Sequence, residues 1–201
     1  MKRLFRPPAP DFLLHNTEAW GKDFAAKRTA DPPYTLQWRQ INGKKVNVIL
    51  RELLAEKMTQ HHCSYCDGGY RLGASAQATL DHFRPKSVVP LEVYEWENLF
   101  VCCNVCQEKK LEQFEEALLK PDAEDFDTFR YFVLNFETGE IGINPRATTS
   151  DKARAETSIR IFGLNDSPRP QMRLTEFTKW QNTLEAAKNL DDFNYRFFLE
   201  L

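Results

Sequence analysis

The sequence contains no run of about 18 apolar residues, so no segment reads as a membrane-spanning helix. The opening stretch, MKRLFRPPAP, has cations but no apolar core behind them. It does not read as a secretion signal, and the expected compartment is the cytoplasm. An excess of one charge is also missing: 27 basic residues face 29 acidic ones, for a net charge of −2. A protein that grips nucleic acid unaided neutralises phosphates with Lys and Arg, so this balance argues against a stand-alone nucleic-acid binder. No internal repeat and no low-complexity tract occurs.

Apolar material is ample. The hydrophobic fraction is 42%, with 15 Phe and 4 Trp, enough for a packed interior. The length of 201 residues suits one domain. Residues 1–10, with three prolines, read as extended. Phe12, Leu13, Trp20 and Phe24 predict a helix over residues 11–29, stopped by Asp31-Pro32-Pro33. Val46, Ile49, Leu50, Leu53, Leu54 and Met58 recur at helical spacing and predict a second one. A tight turn is expected over residues 61–73. Strands are expected at Ala78–Phe83 and Glu97–Cys102, with an irregular loop over residues 84–95 between them. Composition predicts a helix from Cys103 to about Lys120, closed by Pro121. FRYFVLNFETGEIGIN reads as a β-hairpin turning at Thr138-Gly139. Further helices are expected over SDKARAETSIRIF, ended by Gly163, and over residues 171–199. The expected fold class is α+β, mainly helical. A helical region (1–60) and a hairpin with C-terminal helices (121–201) flank a central site-bearing unit (61–120).

Five cysteines fall in that unit: Cys63, Cys66, Cys102, Cys103 and Cys106. An odd count without a secretion signal argues against a disulfide framework. Cys63-x-x-Cys66 and Cys103-x-x-Cys106 are two matched pairs, each able to bring two thiolates to one ion. Zn²⁺ prefers four such ligands in a tetrahedron. The insert between the pairs is 36 residues, longer than in common zinc ribbons, and would form a compact excursion. Redox chemistry is the weaker reading of such pairs. Cys102 is expected to point into the core, with a register using Cys102 as the alternative. His61 and His62 could replace a ligand, and the simpler reading makes them surface or capping residues. An ion gripping both pairs would fold the insert back on itself. Asp81, His82, Asn98 and Gln107 would then come within reach of one another.

The order of these residues resembles a known family. Cys-x-x-Cys, then Thr-Leu-Asp-His-Phe-Arg-Pro-Lys-Ser, then Trp-x-Asn-Leu-x-x-x-Cys-x-x-Cys-x-x-x-Lys is similar to the zinc-knuckle HNH endonucleases. More widely, Pro8-Ala-Pro, Gly43-Lys-Lys-Val-Asn, His62-Cys-Ser-Tyr-Cys-Asp, Pro121-Asp and Gly163-Leu-Asn resemble the PtuB-type nuclease subunits of Septu anti-phage systems, some of them retron-associated. The resemblance implies a ββα-metal unit acting on DNA or RNA. It makes His82 the general base, since an imidazole of pKa about 6.5 can take a proton from water at neutral pH. Asp81 would bind Mg²⁺ or Mn²⁺. Asn98 would orient His82 or brace the inter-strand loop. Arg84, Lys86 and Lys110 would hold the phosphate backbone. Gln107 stands where the family places Asn or His as a second ligand, with Asn104 three residues earlier on the same face. The implied partner is an ABC/SMC-like ATPase of the PtuA type, in some systems with a retron RNA–DNA complex. The alternative reading is a zinc-stabilised interaction subunit with weakened or lost catalysis. Tyr94 and Trp96 are expected as core anchors, with base stacking as the alternative.

Overall fold

The computed structural model describes residues 1–69 and 78–199. Helix α1 (Asp11–Leu14) and helix α2 (Thr17–Ala30) replace the single N-terminal helix expected. Two short strands follow, β1 (Gln40–Ile41) and β2 (Lys44–Lys45). They pair across Asn42 and Gly43, whose φ values of 51 and 78° give the turn that tight hairpins favour. The chain then enters α3 (Val46–Lys57), where Val46, Leu50 and Leu54 are fully buried one turn apart. The turn expected over residues 61–73 is seen through Gly69, and the rest of it lies outside the described residues.

The centre is built from β3 (Ala78–His82) and β4 (Leu99–Cys103), paired antiparallel with Asp81 opposite Phe100 and His82 opposite Leu99. β4 is buried along its whole length, so the hairpin is anchored through this strand. It runs directly into α4 (Asn104–Lys110). Cys103 caps that helix, its Sγ accepting from the Cys106 N–H. The helix is shorter than expected. It stops because Leu111 turns to φ 48°, and the next residues run as turns that place Phe114 against Phe83 and bury Leu118 and Leu119. The 84–95 loop packs on α2, with a short 3-10 turn at Pro90–Glu92. Gly21 permits this close approach, because a Cβ there would overlap the Leu91 carbonyl.

After the one-turn α5 (Thr128–Tyr131), β5 (Phe132–Leu134) and β6 (Ile141–Ile143) form the expected second hairpin. α6 (Thr149–Phe162) starts on the Thr148 side chain, which accepts from the Asp151 N–H. It ends at Gly163 in the left-handed region, φ 57°. α7 (Arg169–Asn182) is half the length expected for the C-terminal helix. Residues beyond it form short 3-10 turns at Glu185–Ala187, Leu190–Asp192 and Arg196–Phe198. Along that irregular path Phe193, Phe197 and Phe198 are all buried. The fold class is α+β with small antiparallel sheets, and among the described residues no helix is long and apolar enough to cross a membrane.

Candidate functional site

Cys63 and Cys66 meet Cys103 and Cys106, with all four Sγ atoms within 4.8 Å of one another and all four residues buried. Cys66 and Cys103 are 3.9 Å apart. A tetrahedral zinc with bonds of about 2.3 Å needs sulfurs separated by about 3.8 Å. The donor set therefore fits a structural zinc ion. Backbone N–H groups support it: those of Tyr65 and Cys106 donate to Cys63 and Cys103, each at 3.4 Å. The four thiols titrate as one interacting set, hydrogen bonds among them lowering the pKa of Cys66 and Cys103 while Cys63 and Cys106 are raised. Cys102 is fully buried but lies outside the group, hydrogen-bonded to Thr79 at 3.3 Å.

The cluster has cationic support that no sequence motif announces. Arg169, at the start of α7, donates to Cys106 Sγ at 3.1 Å and to the Phe162 carbonyl at 2.6 Å. Burial opposes its charge, but the neighbouring sulfurs outweigh that and hold the guanidinium firmly protonated. A zinc tetrathiolate is a dianion, so a buried cation beside it offsets part of an unfavourable charge. Asp67, just past Cys66, pairs with Arg196 at 2.7 Å, with both side chains buried. His62 is buried too, which corrects the expectation of a surface residue: its Nε2 faces the Phe193 carbonyl at 2.9 Å. The C-terminal segment is thereby tied to the first cysteine turn.

His82, at the end of β3, lines a cavity of about 530 Å³. Its ring stacks on Trp38 at 5.8 Å with planes 13° apart. Nε2 contacts the Val93 carbonyl at 3.0 Å. A carbonyl only accepts, so Nε2 carries the hydrogen and Nδ1 the lone pair. Burial pushes the pKa of His82 down from the ordinary 6.5 to about 4, although the Val93 carbonyl pulls the other way. The ring is neutral at physiological pH. Asn98 does not touch it. Instead Asn98 Oδ1 accepts from the Arg84 N–H at 2.7 Å, and Nδ2 donates to the carbonyls of Arg84 and Glu92 at 3.0 and 3.3 Å. It closes the base of the 84–95 loop, and that loop presents the carbonyl that orients His82.

Asp81 is buried beside it. Its Oδ2 accepts from the Tyr65 hydroxyl at 2.8 Å and pairs with Lys110 at 3.2 Å. Burial raises its pKa, with Lys110 and Tyr65 opposing. Lys110 is fully buried and also donates to the His82 carbonyl at 2.7 Å. It cannot reach a phosphate backbone, which corrects the role expected of it. Its position follows from helix geometry: Lys110 lies one turn beyond Cys106 on the inward face of α4. Gln107, on the same helix, lines the cavity with Asp81 and His82, its Nε2 placed 3.5 Å from the Leu80 carbonyl. Asn104 opens α4 and is half-buried.

The other expected cations separate. Lys86 lines the His82 cavity, while Arg84 lines a different one, about 570 Å³, that also contains Phe114. Each already has a carboxylate: Arg84 pairs with Glu92 at 2.6 Å and Lys86 with Glu112 at 3.2 Å. Tyr94 and Trp96 are buried, as core anchors. Trp38 and Tyr65 flank His82 and Asp81, and the sequence alone does not single them out. Tyr65 carries a usable signal, since it sits inside the first Cys-x-x-Cys. Compared with known proteins, the chain matches no family model and no curated relative. The class is thus drawn from fold and site alone: an α+β protein whose central strand pair and helix converge on a buried four-cysteine group able to hold zinc.

Proposed function

We propose that this chain is a metal-dependent phosphodiesterase of the HNH type, cutting nucleic acid as the nuclease subunit of a defence complex with an ABC-like ATPase. One observation carries the reading. A neutral histidine that lines a cavity together with an acid and an amide is oriented through Nε2 by a backbone carbonyl, which leaves the lone pair on Nδ1. A free imidazole nitrogen is what taking a proton from water requires, and a pKa of about 4 keeps this one deprotonated at neutral pH while making it a weaker base than the ordinary imidazole expected from the sequence. Trp38 holds the ring plane, and Asn98 holds the loop that supplies the carbonyl. Asp81 and Gln107, which line this cavity beside His82 together with Glu108 and Glu112, each carry a side-chain oxygen. In this reading Asp81 and Gln107 would hold a divalent ion such as Mg²⁺, which keeps several waters and needs few protein ligands. When bound, such an ion would neutralise charge developing on the phosphate. The Lys110 ammonium beside Asp81 lowers the negative charge available to that ion, so the site would hold it weakly.

The same ion pair favours a second reading, a zinc-stabilised interaction subunit without catalysis. Cleavage of DNA and of RNA separates the two. It should be measured with and without divalent metal, with and without the ATPase partner, for wild type, His82→Ala and Asp81→Asn. Metal-dependent cutting lost in both variants supports the nuclease. No cutting in any combination supports the interaction subunit.

A further inference from the structure

The mouth of the His82 cavity holds an acid that the chemistry above does not use. α4 ends at Lys110, and Leu111 adopts φ 48° and ψ −125°, a conformation that side chains other than glycine rarely take. Leu111 is itself 65% exposed, so its own side chain does not hold the turn. The reversal carries Glu112 back across the cavity to the 84–95 loop. There its carboxylate accepts from the Ser87 hydroxyl and pairs with Lys86 at 3.2 Å. Among the described residues lining this cavity, Lys86 is the single cation, facing Asp81, Glu108 and Glu112. The side chains of Lys86 and Glu112 are 32% and 52% exposed, so the contact can open without unfolding the core.

We propose that Glu112 is an electrostatic latch, its carboxylate sitting where a phosphate group of a nucleic-acid substrate would meet Lys86 and Ser87. An ammonium and a hydroxyl side by side are phosphate donors, and a carboxylate mimics a phosphate's charge and acceptors. With the latch shut, Glu112 neutralises Lys86, and the ammonium is not available to an anionic strand. Burial raises the pKa of Glu112, but Ser87 and Lys86 outweigh it and keep the carboxyl ionised at neutral pH. This inference rests on the phosphodiesterase reading for its choice of ligand.

The test reads binding first and cutting second. Anisotropy of a short fluorescein-labelled oligonucleotide, as DNA and as RNA, is followed across a salt series with the full chain and no added divalent metal. Glu112→Gln should bind about threefold or more tighter at low salt. Its salt slope should steepen by about one phosphate contact. Glu112→Ala should do the same, which excludes a gain from the new amide. Adding Lys86→Ala to Glu112→Gln should return affinity to the wild-type level. Wild-type affinity and slope in both Glu112 variants would overturn the latch. If the variants bind tighter and nothing cuts when metal and partner are added, the latch stands and the phosphodiesterase reading falls. If wild type and variants cut and bind alike, the reading stands and the latch falls.

Discussion

Lys110→Met deletes a charge in the interior while keeping the length and apolar volume of the side chain. Lys110 is fully buried, and its ammonium has two partners: the Asp81 carboxylate at 3.2 Å and the His82 carbonyl at 2.7 Å. The Asp81 side chain is 7% exposed, so water replaces the lost cation poorly. Removing one member of such a pair leaves a bare interior charge and costs about 3–5 kcal/mol. For a chain of this size that lowers Tm by about 10 °C. The assay is urea unfolding with zinc in excess throughout, comparing midpoints at constant m. Asp81→Asn combined with Lys110→Met removes both charges, and the amide oxygen introduced by the first change can still accept from Tyr65. The pair should then couple by at least about 2 kcal/mol, the double variant being more stable than the sum of the singles predicts. A Lys110→Met cost below about 1 kcal/mol, or strict additivity, would refute the assignment of Lys110 as the counter-charge of Asp81.

Other expectations concern the metal and pH. Elemental analysis should find one zinc per chain, retained in Cys102→Ser and lost in Cys103→Ser, because only the latter sulfur belongs to the cluster. Arg169→Met should weaken zinc retention about tenfold in competition with a chromogenic chelator, as loss of a group supporting metal ligands does. His82, with a folded pKa of about 4 against the ordinary 6.5, makes the unfolded chain the better proton acceptor between those values. Its contribution to stability is therefore complete above pH 6.5 and falls as pH drops toward 4, by up to about 3 kcal/mol. His82→Gln should flatten that part of the stability curve, and an unchanged curve would mean that His82 titrates normally in the folded protein.

Much of this architecture can be read from local pattern. The apolar repeat of α3 and the Gly163 stop of α6 appear in the structure where the sequence puts them, and the two Cys-x-x-Cys pairs converge. The misreadings have physical causes. Residues 107–120, rich in Glu, Gln and Lys, have helical composition, yet Leu111 reverses the chain so that Phe114 and Leu118 can pack, and tertiary contact overrides propensity. Residues 183–199 read as helix because the repeat of Leu174, Phe177 and Trp180 continues through Leu184 and Ala187, whereas the chain leaves the helix at Asn182 and buries Phe193, Phe197 and Phe198 from short turns. Asn42-Gly43 is a strong hairpin signal, and the helical repeat that starts three residues later masks it. At the site, the position of His82 in the cavity follows from the strand and the clamp. The burial of Lys110 and Arg169 depends on which helix face turns inward, and charged residue types alone conceal that.

Tyr65 sits between Cys63 and Cys66, its ring stacked on Phe162 at 4.0 Å and its hydroxyl bonded to Asp81. One phenol is thus a strut whose two ends belong to different parts of the protein, a thiol cage at its root and an acid at its tip. Were zinc held by the four cysteines and then removed, this strut would swing first, well before the helices melted. Amide exchange would then quicken along residues 78–82 while α3 and α6 stayed protected, and disorder would arrive at the cavity by way of a ring that never faces it.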